Sequence, residues 1–291
     1  MIFQFLINGI ISGSLIAIVA IGFWFIYRST NLFHIAHGAV YTASVYIFYT
    51  LYVTLKISLY LSIPLALLSG ALLGLGMYFI VYRPLEKKNA SVGIKFISSL
   101  AIYILTINVI ALIYGNDTKM LSEGLSGSLS FGNIIIANIQ AYQFISFLIL
   151  LIVSYLFVQI TKAGRIIRAI GDNLLLFKAI GLNERWVKVM VFSIGSSIAA
   201  LASILTGFDV GIDLNIGMLS VLNAFVAVII GGIKRLEGVV VGAFIIGIMQ
   251  NLVIWMFSAR WESAITFCIL IVVLLYKSGG LFVVKKRVEE L

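Results

Sequence analysis

Hydrophobic and polar positions are arranged in long blocks along this chain. Apolar runs of about 20 residues, the length needed to cross the hydrocarbon of a bilayer, are separated by short polar interruptions. The runs cover Ile2–Tyr27, Ala39–Leu55, Ile57–Tyr82, Ile94–Tyr114, Ala141–Ile160, Val187–Gly207, Gly217–Ile233, Val239–Phe257 and Ala264–Tyr276. Continuous runs of this kind predict helices, whereas a β-barrel would need short alternating segments. The expected fold is an all-α, polytopic transmembrane bundle of about eight or nine spans. It is read as a single domain over residues 1–291. Ala39–Leu55 is the weakest run, because it carries several Tyr and Thr residues. The alternation in LSFGNIIIANIQ predicts a short hairpin in one of the connections.

The interruptions differ in charge, and that orients the bundle. Arg83, Lys87, Lys88 and Lys95 face only Glu86 in one loop. Thr161–Lys188 holds Lys162, Arg165, Arg168, Lys178, Arg185 and Lys188 against Asp172 and Glu184. The turn Lys234–Gly238 and the tail with Lys277, Lys285, Lys286 and Arg287 are also basic. Basic loops stay on the cytoplasmic side, so these segments are assigned there. Gly115–Asn133 and Phe208–Asn215 then fall outside, and so does the N-terminus if all of Ala39–Leu55 crosses. The first run lacks a basic leader and a clear cleavage site, so it is read as a retained span.

Composition agrees with this reading. The chain is 62% hydrophobic and 11% charged, too little polar surface for a water-facing outside. The net charge of +9 is concentrated in particular loops, which fits membrane orientation rather than nucleic acid. The single cysteine, Cys268, excludes an intramolecular disulfide and a Cys-only metal site. The chain contains two histidines, few acids and no phosphate-binding loop, so neither an enzyme site nor a nucleotide site is visible. A gradient-driven carrier usually keeps ionisable groups within its spans, and their scarcity favours a separate ATPase as energy source.

The polar groups within the spans are the candidate lining of a pathway. They are Asn8, Ser12 and Gly13 in the first span, Asn108 in the fourth and Asn223 in the seventh, with Gln250 and Asn251 in the eighth. For any single one, interhelical glue is the better reading, and it is as a set that they offer polar groups to a path. His34 and His37, three residues apart in the break Asn31–Gly38, line either a re-entrant cavity or the membrane interface. Gly231, Gly232, Gly238, Gly242 and Gly247 favour helix packing, with Gly238 and Gly242 forming a GxxxG. In Thr161–Lys188, apolar residues such as Ile166, Ile167 and Ile170 lie among the charges, which predicts a packed pair of short helices rather than a linker.

Several segments resemble one family. RAIGDNLLLFKAIGLNERWVKVMVFSIGSSIAALASILTG, from Arg168 to Gly207, resembles the permeases of branched-chain amino-acid ABC importers. So do NAFVAVIIGGIKRLEGVVVGAFIIGIMQ (from Asn223), IAHG (from Ile35) and NGIISGSLIAIVAIGF (from Asn8). The family commonly has Asn at the place of His34, Phe at Ile35, Lys at Asn223 and a Gly-Ser-Ile-Pro-Gly turn at Lys234–Gly238. The resemblance implies a multi-pass permease in the inner membrane, with membrane lipid around it. It would assemble with a second homologous permease, ATP-binding-cassette subunits and an extracytoplasmic binding protein. ATP would be used by the partner subunits, with no cofactor on this chain. It implies a coupling element at 161–188, with Phe177, Ala179, Ile180, Gly181 and Arg168 at the ATPase contact. The family resemblance extends to permeases for urea, amides and other small polar solutes, and a carrier or channel without ATPase is the alternative of another class.

Overall fold

A computed structural model describes residues 2–121, 127–131, 134–179, 181–277 and 280–282. Ile180, Gly132, Asn133 and the tail residues Lys285, Lys286 and Arg287 lie outside the described residues. The chain forms a bundle of long helices. They are α1 (Ile2–Thr30), α2 (Ala36–Tyr49, prolonged by a wider turn Thr50–Thr54), α3 (Leu59–Met77, prolonged similarly by Tyr78–Tyr82), α4 (Arg83–Lys87) and α5 (Val92–Tyr114). A hairpin of β1 (Ser128–Phe131) and β2 (Ile134–Ala137) precedes α6 (Asn138–Ile160). Then come α7 (Lys162–Asp172), α8 (Leu174–Ala179), α9 (Glu184–Val210), α10 (Ile216–Gly231), α11 (Leu236–Met256) and α12 (Glu262–Tyr276).

Among the described residues, seven helical segments are long and apolar enough to cross a membrane, and α10 is shorter. Its 16 residues rise only about 24 Å, less than the hydrocarbon thickness. Against the expected eight or nine spans, the described residues hold seven segments of crossing length, together with α2 and the short α10. The hairpin is present, with Leu129 opposite Ile136 and Ser130 opposite Ile135.

Helix α1 is the central element. It packs against α6, α9, α10 and α11, and its residues Ala17–Ile26 are buried almost throughout. An apolar helix with no polar face has to be surrounded by other helices or by lipid, and here helices surround it. Hydrogen bonds define the two ends of the bundle. At one end the Gln4 side chain bonds both backbone groups of Ile135 (2.8 and 2.9 Å), and Lys119 pairs with Ile212. At the other, the Trp24 indole donates to the Ile233 carbonyl (2.7 Å), Arg28 holds Asp172 (2.6 Å), and Lys188 holds Glu86 (2.8 Å). The basic loops thus gather at one end. The loop expected over Arg83–Lys95 is largely helical: α4 fills its start, and Ser91 caps α5 through its Oγ, which accepts from Ile94 N at 3.3 Å.

Glycines set the closest helix approaches. At Gly38, a Cβ would lie 2.7 Å from the Gly217 carbonyl oxygen, so the first turns of α2 and α10 touch backbone to backbone. Gly38 lies in the first turn of α2, and His37 beside it packs edge-on against Phe23 of α1. The start of α10 therefore lies within the thickness of the bundle rather than at its surface.

Candidate functional site: a polar cleft and a capped helix pair

Two features stand out from the apolar body. The first is a cleft of about 330 Å³ bounded by α1, α2, α9, α10 and α11, with Glu262 of α12 at its edge. Its polar lining comes from Ser12, Tyr41, Thr206, Asp209, Asp213, Ser220, Asn223, Gln250 and Glu262. Leu15, Ile16, Val19, Ile216 and Leu219 form its apolar wall. The other large cavities are lined mainly by apolar side chains.

Most polar groups of the cleft are held by side chains within it or just behind it. Tyr41 OH donates to Thr206 Oγ1 at 2.6 Å. Gln250 Nε2 donates to Thr266 Oγ1 at 2.7 Å and to Asn223 Oδ1 at 3.3 Å. Asn251 Nδ2 donates to Ser12 Oγ at 3.1 Å, and Gln143 Nε2 to Asp209 Oδ2 at 3.1 Å. These bonds tie α1 and α10 to α11, and α11 to α12, through groups that still reach the cavity. The lining holds three carboxylates and no Lys, Arg or His among the described residues. Such a surface attracts an ammonium group and disfavours an anion.

The residues singled out in the sequence divide. Ser12 and Asn223 line the cleft. Asn8 lies one turn away and accepts from Gln4 at 3.0 Å, next to the hairpin clamp. Gly13 is a packing position, where a Cβ would meet the Phe244 ring at 2.9 Å. Asn108 is exposed on α5 and donates to its own helix, at the Ile104 carbonyl (2.7 Å). His34 and His37 are fully buried with ring centroids 5.9 Å apart, and His34 Nδ1 bonds Tyr82 OH at 2.7 Å. His34 sits in the break between α1 and α2 and His37 in the first turn of α2, and neither lines the cleft. Tyr41, Thr206, Asp209, Asp213, Ser220 and Glu262 were not singled out. They come from four different helices and one connection, and only the tertiary fold unites them. The one sequence signal was that Asp209 and Asp213 are the sole charges in Phe208–Asn215.

The second feature is the helix pair α7–α8. Each start is capped by a side chain, which satisfies otherwise orphaned N–H groups. Thr161 Oγ1 accepts from Gly164 N (2.9 Å), Asn173 Oδ1 from Leu175 N and Leu176 N (3.0 and 3.1 Å), and Asn183 Oδ1 from Arg185 N at the start of α9 (3.0 Å). Ile167 and Ile170 turn inward, while Lys162 and Arg165 face out. The segment is thus an ordered element.

Phe177 is only 1% exposed and anchors α8 beside an apolar groove shared with Ala163, Ile166 and Trp186. The apolar groups that α8 shows to the outside are Leu174, Leu175 and Leu176. Ala179 is exposed, and Arg168 Nη1 donates to Gln159 Oε1 at 2.6 Å. Gly181 has φ +76° and open space around its Cα, so the backbone, not crowding, demands glycine there. Gly181→Val is expected to strain this turn by about 1–2 kcal/mol and shift α8 relative to α9. The expected outcome is normal expression with uptake lost relative to ATP hydrolysis; unchanged uptake would show that the turn does not set the position of α8.

Sequence reasoning did not single out Arg28, at the inner end of α1. Its guanidinium donates to the Gly171 carbonyl (3.0 Å) and to Asp172 Oδ1 (2.6 Å) at the end of α7. The signal was a lone arginine closing the first apolar run.

Comparison with known proteins agrees with the architecture. The family model described as "Branched-chain amino acid transport system / permease component" matches residues 5–274. The chain is 28% identical over 292 residues to the high-affinity branched-chain amino acid transport system permease protein BraD of Pseudomonas aeruginosa, covering 96% of this chain and 94% of that protein. It is 27% identical to the corresponding LivH protein of Escherichia coli K12, with the same coverage of 96% and 94%. Among solved structures, PsaBC from Streptococcus pneumoniae in complex with Fab aligns with a TM-score of 0.50 at 14% identity, covering 94% of this chain and 92% of that one; this shows a shared fold. A central buried helix, a polar cleft among apolar spans and a match over nearly the whole length lead to one assignment: the chain belongs to the permease-component family of branched-chain amino acid transport systems.

Proposed function

We propose that this chain is the permease subunit of an ATP-driven importer that carries branched-chain amino acids across the inner membrane. The observation that carries this reading is the family match over residues 5–274. The cleft is compatible with the substrate class: its carboxylates suit an ammonium group, and Leu15, Ile16, Val19 and Leu219 suit an apolar side chain. Its polar groups are neutral or acidic and most are already partnered, which suits transient passage; tight capture then falls to a separate binding protein. The chain performs no covalent chemistry. ATPase subunits supply the energy, a second permease completes the pathway, and residues 161–188 form the coupling element within one permease domain. ATP binding by those subunits would move α7–α8 and switch the helices between two packings, each favoured by a different ligand state.

The test is uptake of labelled leucine, isoleucine, valine and urea into proteoliposomes holding the permease with its ATPases and binding protein. ATP-dependent uptake of the three amino acids, with urea excluded, is expected. Uptake of urea in place of leucine would overturn the substrate assignment, and ATP-independent uptake by this chain alone would overturn the importer reading.

A further inference from the structure

We infer that Arg28 is the positioning residue that transmits movement of α7 into the membrane core. The inference rests on the reading of α7–α8 as the element that docks the ATPase.

Arg28 is 5% exposed and stands in the last turns of α1. The last carbonyls of a helix have no intrahelical donors, and a cation beside them is favoured by the helix dipole. The Arg28 fork meets that need at α7: Nη1 donates to the Gly171 carbonyl at 3.0 Å, and Nη2 donates to Asp172 Oδ1 at 2.6 Å. A longer contact, 3.5 Å, runs from Nη2 to the Arg168 carbonyl. The backbones are also in close register. A Cβ at Gly171 would lie 2.5 Å from the Arg28 carbonyl oxygen and 2.8 Å from its Nε. The end of α7 is therefore clamped to α1 by directed bonds on one side and by steric contact on the other.

The two helices differ in what else they touch. At its start, α7 is joined to α6 through the turn at Thr161 and packs closely on it, since a Cβ at Gly164 would collide with the Phe157 and Val158 carbonyl oxygens. At its end it is fixed to α1. Helix α1 carries Ser12 into the cleft, and beyond Asn31 (φ 49°) the chain enters α2, which carries Tyr41 into the same cleft. A push on α7 thus reaches two walls of the cleft through one residue. Sliding of α7 over α1 would leave the cleft unmoved, and the clamp opposes it.

The experiment uses the complete complex in proteoliposomes, with ATP hydrolysis and leucine uptake measured together. For Arg28→Ala, uptake per ATP is expected to fall at least 10-fold while hydrolysis continues. Arg28→Lys keeps the charge but loses the fork, and should recover part of the loss. Asp172→Asn alters only the exposed partner and should lower uptake per ATP about 3-fold, even if Arg28→Ala fails to assemble. Unchanged uptake per ATP in both Arg28→Lys and Asp172→Asn would overturn the role of Arg28. Cross-linking from Leu175→Cys to the ATPase subunit separates the underlying reading: absence of the cross-link removes docking at α8, and with it the inference, whereas a normal cross-link with normal coupling removes only the role of Arg28.

Discussion

Leu175→Asp is expected to release the permease from its ATPase subunits while leaving the membrane bundle folded. Leu175 is 82% exposed and Leu176 60%, on a helix whose opposite side is fixed by buried Phe177. Burying a leucine against a partner contributes about 1.5–3 kcal/mol. An unpaired carboxylate in the same place would cost more than that contribution. The sum exceeds the 2.7 kcal/mol or so that corresponds to a 100-fold change in affinity. ATP-dependent uptake should fall by about that factor, and co-purification of the ATPase should fail. The permease itself should still elute as a monodisperse species from detergent, because Leu175 touches little of its own chain. Retention of ATPase at wild-type stoichiometry would assign the leucine face of α8 to lipid headgroups instead.

The second large effect concerns the fold. Gly231 ends α10 and Gly238 lies in the first turn of α11, and each would place a Cβ onto the other's carbonyl oxygen. The turn between them closes only because neither has a side chain. Leucine at position 231 would have to displace backbone, not the flexible tip of a side chain. Overpacking of this kind costs about 1–3 kcal/mol in a forgiving core, and more where backbone must move. Gly231→Leu should therefore reduce folded protein in the membrane about 10-fold or more, read by fluorescence-detected size exclusion. Gly76→Leu on α3 is the control: nothing lies within 4 Å of a Cβ there, and it should express like the parent. Equal expression of the two variants would show that α10 and α11 can separate without loss of the fold.

The hydrophobic pattern alone determined that this is a helical membrane protein, and charge alone gathered its basic loops at one end. Both properties are set by transfer between water and lipid, which depends on what residues are present and how many follow one another. The helix pair in Thr161–Lys188 was legible for a related reason: alternating apolar and basic residues need one packed face and one wet face. Gly231 and Gly238 could both be read as packing glycines, although not as each other's partners. The cleft was only half legible. Ser12 and Asn223 carry a visible mark, a polar group inside an apolar run, but so do Asn8 and Asn108. Asn8 joins the hairpin clamp, and Asn108 turns outward and bonds its own helix. Which amide meets which depends on the rotation of each helix and on its neighbours, and a row of residues does not encode either by itself. Arg28 makes the same point at the inner end. In the sequence it closes the first apolar run; in the structure it grips Gly171 and Asp172, some 140 residues away, because α7 folds back beneath α1. Solvent preference fixed the spans and their sides, and close backbone contact at a few glycines decided which polar groups share a cavity.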